Sequence, residues 1–507
     1  MANQSNKQPS QHEVQPLLNL LNSGQLANAA NMAKSLLGRY PNTFILHNVL
    51  GIALDGLGQY EGAINSYRSA LKLQPNMPDL HFNLGIAFSN VGQVSEAAAS
   101  YRKAIAIQPK FFEAYGNLGT LLQKQGKLEE AVANYRKALS INPQDARGHF
   151  NLGTALRDQG KLEEAIKSYR QAIAVFPNYA DAHSNLGETL RDQGNMQEAV
   201  SSYQDALALN PKHQSANYNM AEFLYLAKRF DEAIPYFERS QLDDWQERSM
   251  YCLYKAERFD AFKTKLDQIV KSGPHTAPFL ATLSTHYAIN FGVEDPYNFC
   301  KNGFDFVYRA AIPELSAPNS ALLKALLNDI DNAAIAERVQ GMLHNGQQSA
   351  GNLFKRPEAS FNALAELVKK EFRNYHQQFA GADCELIKSF PEELEFTSSW
   401  YVKMRQGGHL DAHIHEIGWI SGAVYLAMPS DKQSPEEGAF EYGVHGDHYP
   451  QKHHNFPVGA VMPNVGEIVL FPSSLFHRTI PFTSSEERIC IAFDLRPSGV
   501  SATRSHY

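Results

Sequence analysis

The stretch GGHLDAHIHE, from Gly407 to Glu416, places His409, Asp411, His413 and His415 at alternate positions. Imidazole and carboxylate groups are ligands for first-row transition metals, and a β-strand sends alternate side chains to one face. An extended run here is expected to gather four possible metal ligands on one surface. Three readings of the binding pair are open: His409 with Asp411, His413 with His415, or Asp411 with His413.

Other polar groups nearby have plainer readings. VHGDHYPQKHHNFP holds His445, His448, His453 and His454 without regular spacing, as expected of a lid or a solvated loop. Cys490 lies on an alternating apolar segment and is read as core. Glu416 is read as an exposed turn carboxylate, with support of a ligand side chain as the alternative.

The elements that must position these residues are short and β-rich. After Phe390 come EFTSSWYVKMRQGG, WISGAVYLAMP, GAFEYG, GEIVLFPSSLFHRTIPF and ERICIAFDL, divided by turns, a spacing that suggests a β-sandwich or jelly roll. Between His275 and Ala382 the texture is helical, as in LLKALLNDIDNAAIAERVQGML and FNALAELVKKEFRNYHQQF, with the turn formers of NGQQSAGNLF between these two.

The first half repeats itself at a shift of 34 residues: HFNLGIAFSNVGQVSEAAASYRKAIAIQP, AYGNLGTLLQKQGKLEEAVANYRKALSINP and HFNLGTALRDQGKLEEAIKSYRQAIAVFP share one phase. The pattern resembles the tetratricopeptide repeat family. Small residues such as Gly85 and Ala97 let paired helices approach, Gly92 ends a helix, Tyr101 fills the space between units, and Pro109 closes the second helix. Each hairpin buries its apolar face only against its neighbours, so the array is expected to be a superhelical solenoid with a concave face. Asn83, Asn117, Asn151, Asn185 and Asn219 recur on the first helix of successive units. They either brace adjacent units or, as in repeats resembling the superhelix of O-linked sugar transferases, hold an extended peptide by its main chain, since an amide offers both donor and acceptor.

At 507 residues the chain is expected to be modular, with roughly three domains. A composition of 43% hydrophobic and 20% charged residues with a net charge of -7 argues against a polyanionic partner such as nucleic acid. Cys252, Cys300, Cys384 and Cys490 form no CxxC pair, which argues against a thiolate zinc site or disulfide framework and for a reducing compartment. The opening lacks a signal-peptide core and no run of about 18 apolar residues occurs, so a cytoplasmic chain without a membrane partner is expected.

HIHEIGWISGAVYL, LFPSSLFHRTIPF and ERICIAFDL, in that order, resemble the Fe(II)- and 2-oxoglutarate-dependent oxygenases, specifically a subgroup with HxH, then SGvyYl, then lFPs, H and R. The resemblance implies a facial set of iron ligands in which His477 is the distal histidine. It also implies that Arg488, with Tyr425 beside it, pairs with the far carboxylate of 2-oxoglutarate. The subgroup motif favours His413 and His415 as the near pair, whereas HLD at His409 and Asp411 matches the commoner family pattern literally.

The expected architecture is an α+β multidomain chain in which an all-α solenoid precedes a double-stranded β-helix. The divisions are a tail at 1–11, repeats at 12–274 with the clear units at 43–212, a helical connector at 275–320, the oxygenase domain with its N-terminal helices at 321–498, and a tail at 499–507. The implied reaction couples decarboxylation of 2-oxoglutarate by O2 to hydroxylation of a substrate C–H bond. The expected substrate is a protein or peptide side chain carried on the concave face of the repeats. A small-molecule hydroxylase, and a non-enzymatic scaffold with a degenerate β domain, are the alternatives.

Overall fold

The computed structural model describes residues 8–242, 244–338, 341–391, 393–416 and 418–497. The tail expected at 499–507, and residues 1–7 of the one expected at 1–11, lie outside them. The described residues divide into two compact units, one running to Met220 and the other beginning at Ala221.

In the first unit, helices follow one another in pairs, for example Pro78–Asn90 with Val94–Ile107 and Phe112–Lys124 with Leu128–Ile141. The repeat residues explain the pairing. A Cβ on Gly85 would stand 2.6 Å from a ring carbon of Tyr101, so the tyrosine of the second helix lies directly on the backbone of the first. Ala97 and Ala104, on the same helix as Tyr101, are fully buried. Gly92 has φ +76, the left-handed conformation that ends a helix and costs a Cβ-bearing residue strain. Successive pairs are tied by a recurring bond between a histidine Nε2 and a proline carbonyl, 2.9 Å for His81 and Pro75 and 3.0 Å for His149 and Pro143.

The second unit joins the helices from residue 221 onward to a pair of antiparallel sheets. Its strands are β1 (Tyr308–Ala311), β2 (Glu337–Arg338), β3 (Leu343–Ser349), β4 (Leu394–Leu410), β5 (Ile420–Ala427), β6 (Phe440–Gly443), β7 (Val458–Val461), β8 (Glu467–Pro472), β9 (Phe476–Thr479) and β10 (Arg488–Pro497). The larger sheet has the order β1-β8-β5-β10-β4-β3-β2 and the smaller β7-β6-β9.

Alternation assigns the faces. On β10, Ile489, Ile491, Phe493 and Leu495 join one apolar cluster with Leu364, Val368 and Phe372 of helix Ala359–Phe379, and with Phe262, Phe279 and Leu283 of helices Phe259–Ser272 and Pro278–Phe291. Cys490 points the other way, into a second cluster with Met404, Tyr425, Phe471 and Phe440. That second face is the inside of the jelly roll, and Arg488 and Asp494 share its parity.

Two segments differ from the sequence expectation. LHNGQQS is strand β3, paired with β4, and not a turn between helices; pairing to a long neighbour overrides its turn-forming residues. The helix before it stops at Asn332. Strand β1 falls within the expected helical connector and pairs with β8. The helices of residues 245–291 share one core with the large sheet, and the compact division accordingly falls at 220/221.

Candidate active site

The run from Gly407 to Glu416 is not one continuous strand. β4 ends at Leu410 after a turn at Gly407, whose φ is +75. The four alternate residues therefore separate into two groups, and the expectation of a single ligand face fails.

His413 goes inward. Its backbone N–H donates to the His477 carbonyl at 3.1 Å and that of His477 to the His413 carbonyl at 2.9 Å, a two-residue bridge that sets the two rings 4.3 Å apart. His415 completes the group, with its ring 5.2 Å from that of His413 and 4.8 Å from that of His477. One donor atom from each of the three lies within 4.8 Å of the others.

The second nitrogens are already committed. His413 Nδ1 lies 2.7 Å from the Asp411 carbonyl and His477 Nδ1 3.4 Å from that of Leu475. A carbonyl only accepts, so each Nδ1 carries the proton and each Nε2 keeps a free lone pair. Burial, reinforced by His415, lowers the pKa of His413 to about 4, and burial with the neighbouring imidazoles holds His477 well below its ordinary value. Both are neutral near pH 7, the form in which imidazole binds metal.

His415 is held differently, by a carboxylate that sequence reading missed. Its Nδ1–H donates to Asp494 Oδ1, which also accepts from Ser421 Oγ at 2.7 Å, while Ser398 Oγ donates to Oδ2 at 2.9 Å. Burial pushes the Asp494 carboxyl up, but His415 and the two serine hydroxyls outweigh it and hold the pKa below the usual value. Ser421 also meets Ser473 at 2.7 Å, and a Cβ on Gly418 would strike Ser473 at 2.6 Å. The small and hydroxyl residues of WISG and FPSS thus build the seat of one acid. A usable signal was present: Asp494 shares its parity with Arg488 on a strand whose other face is apolar.

Arg488 is 2% exposed. Its Nε donates to the Gly438 carbonyl at 3.1 Å, its Nη1 faces the sulfurs of Met404 and Cys490, and its guanidinium carbon lies 5.1 Å from the Tyr425 ring centroid. Tyr425 is buried beside it, and burial raises the phenol pKa. Among the described residues Arg488 makes no salt bridge. One cavity is lined by His413, His415, His477, Tyr425, Arg488 and Arg478, among others, and by no aspartate or glutamate. Three imidazoles suit a divalent metal, and a buried cation in an acid-free cavity suits an anionic co-substrate. The donor set therefore fits both groups.

The remaining candidates lie elsewhere. Asp411 is exposed and bonded to His344 at 3.0 Å, and His409 stacks on His344. Glu416 is not an exposed turn acid: it pairs with Arg248 at 2.9 Å, a helical partner remote in sequence. The histidine-rich loop packs against helices of its own unit, with His445 Nδ1 2.8 Å from His286 Nε2 and Asn290 donating to the Pro450 carbonyl at 3.0 Å. In the repeats, Asn117 and Asn185 engage the Tyr101 and Tyr169 hydroxyls. Asn219 is buried, donating to Glu188 at 3.0 Å and accepting from Arg191 at 3.1 Å. Asn83 and Asn151 are half-buried.

Comparison with known proteins finds two kinds of match. Residues 398–494 match the family described as "Putative 2OG-Fe(II) oxygenase", and tetratricopeptide families match in overlapping segments between residues 56 and 246. The chain thus carries tetratricopeptide repeats followed by a 2OG-Fe(II) oxygenase domain, and that family implies Fe(II) and 2-oxoglutarate. Repeats of this kind suggest protein binding.

Similar solved structures are a MamA protein (25% identity, covering 33% of this chain and 92% of that one, TM-score 0.32), "YrrB: a TPR protein with an unusual peptide-binding site" (23%, 37% and 96%, 0.33) and Pseudomonas aeruginosa pilF (23%, 39% and 93%, 0.34). No curated protein matches the chain. Among the described residues no helix is long and apolar enough to cross a membrane.

Proposed function

We propose that the protein is a hydroxylase in which His413, His415 and His477 hold Fe(II), Arg488 and Tyr425 hold the far carboxylate of 2-oxoglutarate, and the substrate is a protein or peptide side chain. When bound, iron with the keto acid and O2 supplies the oxidising chemistry that replaces C–H by C–OH, with succinate and CO2 as co-products. The observation that carries this reading is the cavity wall: three histidines and a buried arginine, with no acid.

Each residue has a separate task. The Asp411 and Leu475 carbonyls fix the tautomers of His413 and His477, so neither ring must reorient to bind. Asp494 holds His415 and places a negative charge one residue from a centre whose proposed ligands are all neutral, partly offsetting the double charge of Fe(II). Arg488, with its fork buried against Tyr425, offers a carboxylate a charge-assisted seat with little water to compete. Phe440 and Phe471, in ring contact with each other and with His477, line the cavity and limit water beside the metal.

The repeats supply the substrate in this account. Asn83, Asn117, Asn151 and Asn185 are proposed to take an extended peptide by its main chain, although the tyrosine contacts of Asn117 and Asn185 favour bracing there and the amide of Asn219 is spent. The four free, buried cysteines fit a reducing, cytoplasmic setting.

Protein supplied with Fe(II) and 2-oxoglutarate in air should slowly release succinate without substrate. Absence of succinate would favour a scaffold. Replacing Asn117, Asn151 and Asn185 together by Ala should weaken turnover of a protein substrate and spare this uncoupled reaction; a loss of thermal stability with unchanged substrate affinity would leave only the bracing role.

A further inference from the structure

The other half of the histidine-rich run builds a second cluster. His344 on β3 is the cross-strand partner of His409 on β4, and their rings stack at 4.4 Å and 13°. The register shifts between His344 and Gly346, next to Asn345 at φ 48, and Gly407 turns β4 at φ +75. These irregularities bring Asp411 back over the pair: its Oδ2 lies 3.0 Å from His344 Nε2 and its Oδ1 3.8 Å from His409 Nε2. His409 Nδ1 lies 3.0 Å from the Gly407 carbonyl, so Nδ1 carries the proton and Nε2 is the free donor.

Two imidazoles and a carboxylate therefore present donors that all lie within 4.8 Å of one another. Ligands ~2.0–2.2 Å from one metal stand roughly 3 Å apart, so His344 and Asp411 already have the right separation once the proton that His344 Nε2 donates to the carboxylate moves to Nδ1, and His409 needs only a small side-chain adjustment. The side chains are 46%, 30% and 55% exposed, which leaves the outer coordination positions to water.

We propose that His344, His409 and Asp411 form a second, solvent-facing site for a divalent transition metal of the zinc, nickel or copper class, separate from the buried histidine triad. Mixed imidazole and carboxylate ligands bind these ions more tightly than Fe(II), following the order of divalent affinities. The same order holds at the buried triad, so zinc is a probe of both sites. Filling it pins strand β3 to the segment whose Asp411 carbonyl holds His413, so the two sites are mechanically adjacent.

The test is a zinc titration of the metal-free full chain, using a chromophoric chelator as competitor. Wild type is expected to bind two equivalents, with one lost in His344→Ala and one lost in His477→Ala. Asp411→Asn, which keeps size and backbone, should weaken the second equivalent by tenfold or more, a control against misfolding. Two equivalents in both His344→Ala and Asp411→Asn, or a single equivalent in wild type that His344→Ala does not remove, would overturn the second site. Loss of the His477-dependent equivalent bears on the buried triad alone, so the two assignments fail separately.

Discussion

Seven residues, His409 to His415, feed two clusters that share imidazole ligands and differ in almost everything else. The triad of His413, His415 and His477 is buried, its Nδ1 atoms are tied to two carbonyls and a buried carboxylate, and it shares a cavity with the buried Arg488. The group of His344, His409 and Asp411 faces water, and only His409 has its Nδ1 tied to a carbonyl. Residue type makes a place where a metal can bind. Burial, fixed tautomers and a matching co-substrate seat make one where oxidative chemistry can be controlled.

The sharpest way to break this contrast is His477→Ala, expected to remove iron from the buried site and abolish succinate release while the fold stays intact by circular dichroism, because the backbone bridge to His413 does not need the ring. Normal iron content and turnover would sink the ligand assignment. Arg488→Ala comes next: iron should remain while the 2-oxoglutarate requirement rises by roughly 30-fold or more, from the ~2–5 kcal/mol typical of truncating a buried paired charge. An unchanged co-substrate dependence, measured as the concentration for half-maximal succinate release, would point to Arg478 instead.

Asp494→Asn sharpens the comparison at the buried side alone. The amide keeps the shape but loses the charge, and iron affinity or turnover should fall by roughly 10- to 100-fold, the usual cost of losing an outer partner of a ligand histidine. A wild-type result would show that His415 needs no anionic support. The smallest effect belongs to His409→Ala, which should leave iron in the buried triad because its ring reaches only the outer group; loss of iron there would merge the two clusters.

Much of this site was legible because its residues carry their own signals. His477 and Arg488 stand at positions fixed by apolar strands on either side, and the inward parity of β10 follows from its sequence. His344 was hidden because LHNGQQS is rich in turn formers and becomes a strand only by pairing with β4. Glu416 and His445 looked solvated because their partners, Arg248 and His286, lie far away in the chain. Local pattern shows which face a residue takes; it does not show what lies opposite. In the repeats, where each helix packs mainly on its sequence neighbours, that limitation hardly applies, and Gly85, Gly92 and Tyr101 do what their spacing implies.

The central claim is that the near pair is His413 and His415, and anaerobic addition of Fe(II) and 2-oxoglutarate tests it directly. Wild type and His409→Ala should both develop the weak visible band of iron with chelated keto acid, and His413→Ala should not. A band in His413→Ala together with its loss in His409→Ala would show that the metal uses the other pair.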